Sequence, residues 1–270
     1  MNGGIEVRGL TVRYDKFTLD ASFTAPRGEV TGLIGENGAG KSTLMRAVAG
    51  ITGYDGEVRI NGVSARQTTR AERQKIGYVG NERNLPESLT LAAAEKALRG
   101  IFREWDRRVF FALAEKFALP ADRRIGEFSV GMKAKAALAA ALSHGADTLL
   151  LDEPTSGLDP AARDEMLGEI WQFMQDERHT VLMTSHITSD LEKLCDRIVL
   201  LGGGRVLLSG EKDELLSRYA VVRGAAPGAL RVIKREYGAE SLVYARDAGS
   251  DAERVDLETL TVFFIKGREE

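Results

Sequence analysis

Apolar and polar residues alternate from Ile5 to Phe23, through "IEVRGLTVRY" and "FTLDASFTA" to the turn "PRGE". This period of two predicts short strands and an antiparallel β-subdomain. "EVTGLIG" is almost uninterruptedly apolar, as a strand covered on both faces would be. A glycine-rich turn and "KSTLMRAVAG" follow, predicting a helix with Leu44 and Val48 on one face and Gly50 at its end. From about Leu91 to Ser143 the spacing turns helical in "LAAAEKALRGIFREW", "RRVFFALAEKFAL" and "MKAKAALAAALSH", which predicts a helical subdomain over about 88–145. Beyond it, "DTLLLDEP", "HTVLMTSH" and "DRIVLLGGGRVLLSG" predict buried strands, with helices over "AARDEMLGEIWQFMQDE" and "TSDLEKLC" between them. The implied class is α/β, a mainly parallel sheet flanked by helices.

The last stretch, 216–270, has a looser rhythm and is expected to be a small α+β appendage to a domain spanning 1–215. From "GALRVIKREYG" (228–238) onward it is expected to run as a helix, a strand, a polar loop and a last amphipathic segment. In "LETLTVFFIKG" the spacing of Leu257, Leu260 and Phe264 suits a helix, whereas the β-branched and aromatic content suits a strand.

A chain of 270 residues with net charge −3 has no global pull toward nucleic acid or an anionic surface. Its one cysteine, Cys195, cannot form an internal disulfide, and its apolar neighbours predict a buried thiol. No apolar run approaches the roughly 18–20 residues that span a bilayer, and "MNGGIEVRGL" lacks the pattern of a signal peptide.

The candidate chemistry begins at "GENGAGKST", where Gly35, Gly40, Lys41 and Ser42 take the fixed positions of a phosphate-binding loop between a predicted strand and a predicted helix. Glycines let the backbone curl so that successive N–H groups face the β- and γ-phosphates. Lys41 adds a mobile positive charge, and the Ser42 hydroxyl suits Mg²⁺. Alone, this loop leaves kinases, GTPases and ATPases open. "LLLDEP" then ends an apolar strand in two carboxylates that point to opposite sides: Asp152 for the Mg²⁺ shell and Glu153 to polarise an attacking water. "GEFSVGMKAKAALAAAL" sets Ser129 and Gly131 at the start of a helix, whose free N–H groups and dipole suit an anion.

Together these residues resemble the nucleotide-binding subunits of ATP-binding cassette (ABC) transporters, from about Ile5 to Gly210. "GENGAGKST" resembles the Walker A loop, "LLLDEP" Walker B, "SGLDP" (156–160) the D-loop, and His186 in "MTSH" the switch histidine. The resemblance implies a P-loop NTPase core that hydrolyses ATP with Mg²⁺. In it, Asn37, Gly38, Ala39, Gly40, Lys41, Ser42 and Thr43 hold the phosphates. Tyr14 stacks on adenine, or merely packs at a strand end. Asp159 belongs to the nucleotide site, Asp152 and Ser42 serve the metal, and Glu153 and His186 serve the attacking water. "FSVGM" lies where the family has Leu-Ser-Gly-Gly-Gln, so Ser129 and Gly131 would grip the γ-phosphate of ATP bound to a second subunit.

Two departures are visible, Val130 at the first glycine of the pair and Met132 at the glutamine, in a form similar to the exporter branch. The glutamine of the Q-loop corresponds to Asn81, which either reaches Mg²⁺ through a water or is only a loop residue. The expected partners are separate membrane-spanning subunits and a second cassette, an identical copy of this chain in preference to a different one, on the cytoplasmic face of the membrane. No nucleic acid is expected. The competing reading is a soluble ABC ATPase acting on nucleic acid or ribosomes, and the tail either contacts a partner or packs on its own domain.

Overall fold

The structure is a computed structural model that describes residues 3–80, 85–236 and 238–268. Its elements run β1 (Gly4–Tyr14), β2 (Phe17–Pro26), β3 (Val30–Gly35), α1 (Lys41–Val48), β4 (Asp55–Ile60), β5 (Val63–Ser64), α2 (Arg70–Arg73) and β6 (Ile76–Val79). Next come α3 (Leu91–Ile101), α4 (Arg107–Lys116), α5 (Val130–Leu142), β7 (Thr148–Asp152), α6 (Pro160–Phe173), β8 (Thr180–Thr184), α7 (Thr188–Leu194), β9 (Arg197–Gly202) and β10 (Arg205–Glu211). The tail holds α8 (Lys212–Arg218), β11 (Tyr219–Arg223), β12 (Arg231–Arg235), β13 (Gly238–Tyr244), β14 (Glu253–Arg254) and α9 (Leu257–Lys266).

Among the described residues, one ten-stranded sheet has the order β5-β4-β1-β2-β10-β9-β3-β8-β7-β6. Strands β9, β3, β8, β7 and β6 are parallel neighbours, while β1, β2, β4 and β5 pair antiparallel. The antiparallel strands join the parallel core through a single pair of β2 and β10, Asp20 with Arg205, so they continue its sheet. Every residue of β7 and β8 is buried. Their apolar side chains alternate between two layers, as a period of two requires. Leu150 and Leu182 pack with Leu44 and Met45 of α1, whereas Leu149, Leu151, Val181 and Met183 pack with Leu138, Met166 and Leu191 of α5, α6 and α7. Helix α1 and the antiparallel strands cover one face of these strands and α5, α6 and α7 the other, which excludes water from both.

Helices α3, α4 and α5 fill 91–142, and each begins at a side-chain cap. The Thr90 hydroxyl accepts from Ala93 N at 3.1 Å, Asp106 accepts from Arg108 N at 2.8 Å, and the Ser129 hydroxyl accepts from Met132 N at 3.2 Å. Phe110 and Leu138 are fully buried between them.

Three expectations need correction. β9 and β10 form a hairpin turned at Gly203 (φ 55°) and Gly204 (φ 79°), and β10 is not buried but alternates half-buried and exposed residues. Arg231–Arg235 is a strand, not a helix, because it pairs with β13 in a four-stranded antiparallel sheet of order β12-β13-β11-β14. In the final segment the helical spacing prevails over the β-branched content, but Phe263, not Phe264, completes its buried face with Leu257 and Leu260. Phe264 instead meets the edge of the Tyr219 ring at 5.7 Å.

Helix α9 packs into the core that holds Leu191, Cys195 and Ile198, with Cys195 buried as expected. Polar contacts add to this docking: the Leu257 N–H donates to Glu192 Oε1 at 3.0 Å, and Lys212 Nζ donates to the Glu192 carbonyl at 2.7 Å. Phe263→Ala should lower unfolding free energy by about 3–5 kcal/mol through loss of buried area and an unfilled cavity. Urea unfolding checks this, and a loss below about 1 kcal/mol would mean that α9 is not held in the core.

Candidate nucleotide site

The site lies where the parallel strands end. Gly35 closes β3, and the chain turns through Gly38 (φ 84°) and Gly40 (φ 106°) into α1. At Gly40 a β-carbon would stand 2.9 Å from the Phe17 ring, so glycine there both permits the left-handed turn and lets the loop lie on Phe17. The first N–H groups of α1 then face the open side of the sheet, where an anion completes them.

A cavity of about 640 Å³ opens over this loop. Tyr14, Asn37, Gly38, Gly40, Lys41, Ser42, Thr43, Glu153 and His186 line it, together with Phe17, Glu36 and Ser156. Tyr14 is exposed, leaving a ring face for a flat ligand, whereas Ala39 is buried under the loop. Lys41 Nζ donates to the carbonyls of Gly35 at 2.7 Å and Glu36 at 3.3 Å. Burial holds its ammonium below the ordinary lysine range, while the carboxylates of Glu153 and Asp152 act in the opposite direction.

Asp152 ends β7 and is 1% exposed. Its Oδ1 accepts from Ser42 Oγ at 3.2 Å and from Thr184 Oγ1 at 2.9 Å. Its Oδ2 is buried and has no hydrogen-bond partner. An ionised oxygen left without a partner costs free energy that a cation would recover, and a hydroxyl beside a carboxylate is an oxygen donor set that suits Mg²⁺. Ser42 and Asp152 therefore fit the metal expected of them. Asn81, the third residue assigned to it, lies outside the described residues.

Glu153 follows with φ 56°, a left-handed conformation that is uncommon for a side chain of this kind. Its N–H donates to Thr184 Oγ1 at 2.9 Å, and its Oε2 meets His186 Nδ1 in a hydrogen bond. Thr184 was not singled out from the sequence. One hydroxyl accepts from Glu153 N and donates to Asp152, fixing the backbone of the first and the carboxylate of the second. The signal was there in the strand ends: β7 and β8 are parallel and both predicted, and Asp152 stands opposite Thr184 in register. Phe17 also escaped notice, because nothing in its local pattern sets it apart from other strand residues, and Ser156 was read only as the start of the D-loop motif.

Ser129, Gly131 and Asp159 do not line the cavity. Ser129 caps α5, and Asp159 caps α6, accepting from Ala162 N at 2.9 Å. That bond is the largest cause holding the Asp159 carboxyl below the usual carboxylate range. The loop between Glu153 and Asp159 is anchored by Thr155, whose hydroxyl donates to the buried Asp190 of α7 at 2.7 Å.

A family model described as ABC transporter matches residues 19–156. The Nod factor export ATP-binding protein I of Rhizobium sp. (strain N33) is 36% identical over 212 residues, covering 76% of this chain and 69% of that protein. The ABC transporter ATP-binding protein NatA of Bacillus subtilis (strain 168) is 34% identical over 209 residues, covering 74% and 84%. A solved ATP-binding subunit of an ABC transporter superposes with a TM-score of 0.69 at 28% identity, over 78% of this chain and 91% of that one. A dimeric ATP-binding cassette bound to ADP and phosphate has the same fold, with a TM-score of 0.68 at 21% identity over 77% and 98%.

Thr184→Val keeps the side-chain shape but removes the hydroxyl between Asp152 and Glu153. Losing that bond should cost about 1–3 kcal/mol in the transition state, on the order of a ten- to hundredfold drop in kcat for nucleotide hydrolysis. Steady-state phosphate release checks it, and an unchanged kcat would remove Thr184 from the site.

Proposed function

The chain belongs to the ABC transporter family as an ATP-binding subunit, and from that premise we propose that it hydrolyses Mg-ATP to drive a transporter whose membrane-spanning subunits are separate chains. No helix among the described residues is long and apolar enough to cross a membrane. The proposed place, which follows from the transporter reading, is the cytoplasmic face of the membrane, docked on those subunits. Export is the favoured direction, supported by the "FSVGM" form and by the similarity to a Nod factor export protein.

Asp152 carries the reading. One of its oxygens is tied to Ser42 and Thr184, and the other is buried without a hydrogen-bond partner at the foot of the phosphate loop. Bound there, Mg²⁺ would neutralise charge on the β- and γ-phosphates. The loop N–H groups and Lys41 hold the phosphates, and Tyr14 offers its ring to adenine. Lys41 exchanges its carbonyl contacts for phosphate oxygens, a stronger charge-assisted interaction. Glu153 orients and polarises the water for in-line attack, and His186, already bonded to Glu153, holds that carboxylate and faces the γ-phosphate.

Ser129 and Gly131 stand at the N-terminus of a 13-residue helix and outside the cavity of their own chain. They suit the γ-phosphate of a second cassette, and an identical copy is the simplest partner. Two chains would close head to tail around two nucleotides, each completing the other's site. Asp159, within the D-loop, belongs to this interface, while residues 1–215 form the motor and 216–270 an accessory region.

Glu153→Gln should leave ATP bound but water poorly activated, so its molar mass by light scattering should double with Mg-ATP. A second change, Ser129→Arg, should return it to the monomer mass. A strict monomer with Mg-ATP would exclude pairing of identical chains in isolation.

A further inference from the structure

The signature turn and the D-loop of one chain interlock through two side chains, each set over a glycine of the other segment. Val130, the first residue of α5, stands over Gly157: a β-carbon at Gly157 would lie 3.1 Å from Val130 Cγ1. Leu158 stands over Gly131: a β-carbon at Gly131 would lie 3.0 Å from Leu158 Cδ2. Gly157 has φ 74°, so a side chain is disfavoured there on both conformational and steric grounds. Leu158 is buried, whereas Val130 keeps 53% of its surface exposed. The Leu158 contact needs only a glycine at 131, but the Val130 contact exists because valine stands where the family pattern has glycine. With glycine at 130, Leu158 over Gly131 would be the one of these two contacts that remained.

We propose that Val130 is a positioning residue that couples the two nucleotide sites of the paired cassettes. The inference rests on the head-to-tail reading above. The turn holding Val130 serves the partner's nucleotide, and the segment holding Gly157 begins at Glu153, which serves the chain's own. Between them the connection is short and hydrogen-bonded: Ser156 N donates to the Glu153 carbonyl at 3.2 Å, and Leu158 N donates to the Thr155 carbonyl at 3.2 Å. Ser156 also lines the nucleotide cavity. Capture of a γ-phosphate by Ser129 and Gly131 fixes the start of α5. Through Val130 it fixes the D-loop, and with it the backbone that presents Glu153. Occupation of one site thereby prepares hydrolysis in the other.

The rate of ATP hydrolysis against ATP concentration tests this in the full chain, with Val130→Ala, which deletes the contact, and Val130→Thr, which keeps its β-branched shape. The parent should show a Hill coefficient above one. Val130→Ala should bring it toward one and lower kcat roughly three- to tenfold, the scale of residue-level coupling. Val130→Thr should restore both. The Glu153→Gln/Val130→Ala double variant should still double in mass with Mg-ATP, because Ser129 and Gly131 remain. A parent coefficient of one, an unaffected Val130→Ala, or a Val130→Thr as impaired as the alanine variant each overturns the coupling. If Glu153→Gln with Val130 intact stays monomeric, the paired reading fails and the coupling fails with it.

Discussion

The structure turns on a carboxylate buried at the end of a central strand. Asp152 is 1% exposed, with Oδ1 bonded by two hydroxyls and Oδ2 by none. Burying an ionised group costs several kcal/mol unless charge or hydrogen bonds offset it, and two neutral donors offset only part. The fold meets that cost by holding Asp152 between helix layers on both faces of β7. Its stability comes from leucines such as Leu149, Leu150 and Leu151, and the open carboxyl ends of the strands admit the ligand. The under-compensated charge makes the site receptive to a divalent cation, and through it to a nucleotide triphosphate.

That same strand end ties Glu153, the carboxylate proposed to activate water, to distant parts of the chain. Thr184 fixes the backbone of Glu153 from β8, His186 holds its side chain, and Thr155 anchors the following loop to Asp190 on α7. Helix α7 is itself gripped from behind, since Glu192 accepts from the first residue of α9 and from Lys212. The accessory region thus belongs to the packing that sets α7, although it lies far from the phosphate loop in sequence. A seven-residue helix has little stability alone, so neighbours on both sides largely determine where it sits.

Where local pattern and local chemistry agree, the sequence already reveals the structure. The glycine loop after β3, the paired carboxylates after β7 and the helical spacing of α3, α4 and α5 all depend on residues within a few positions of one another. Thr184 was missed because its role depends on parallel register with β7, a relation between strands separated by α6. Arg231–Arg235 was misread because pairing with β13 decides its conformation, and β10 because its place beside β2 leaves it half-exposed. At the last helix the spacing of Leu257 and Leu260 prevailed over β-branched propensity. An amphipathic face buried against α7 contributes more than the tenths of a kcal/mol by which such propensities differ.

Lys41 and Asp152 make opposite demands on the same ligand. The ammonium is satisfied in place by the carbonyls of Gly35 and Glu36, so its charge waits folded onto its own loop. The carboxylate is left incomplete. A phosphate alone would relieve the N–H groups of the loop and draw Lys41 away from its carbonyls, yet it would place negative charge near the uncompensated oxygen of Asp152. A cation alone would satisfy Asp152 and repel Lys41. Only a phosphate chain carrying its own divalent cation satisfies both residues at once, because it presents negative oxygens to the lysine and positive charge to the aspartate. On the proposed reading, the opposed charges of Lys41 on the loop and Asp152 at the end of β7 would favour a metal-bound nucleotide over either component.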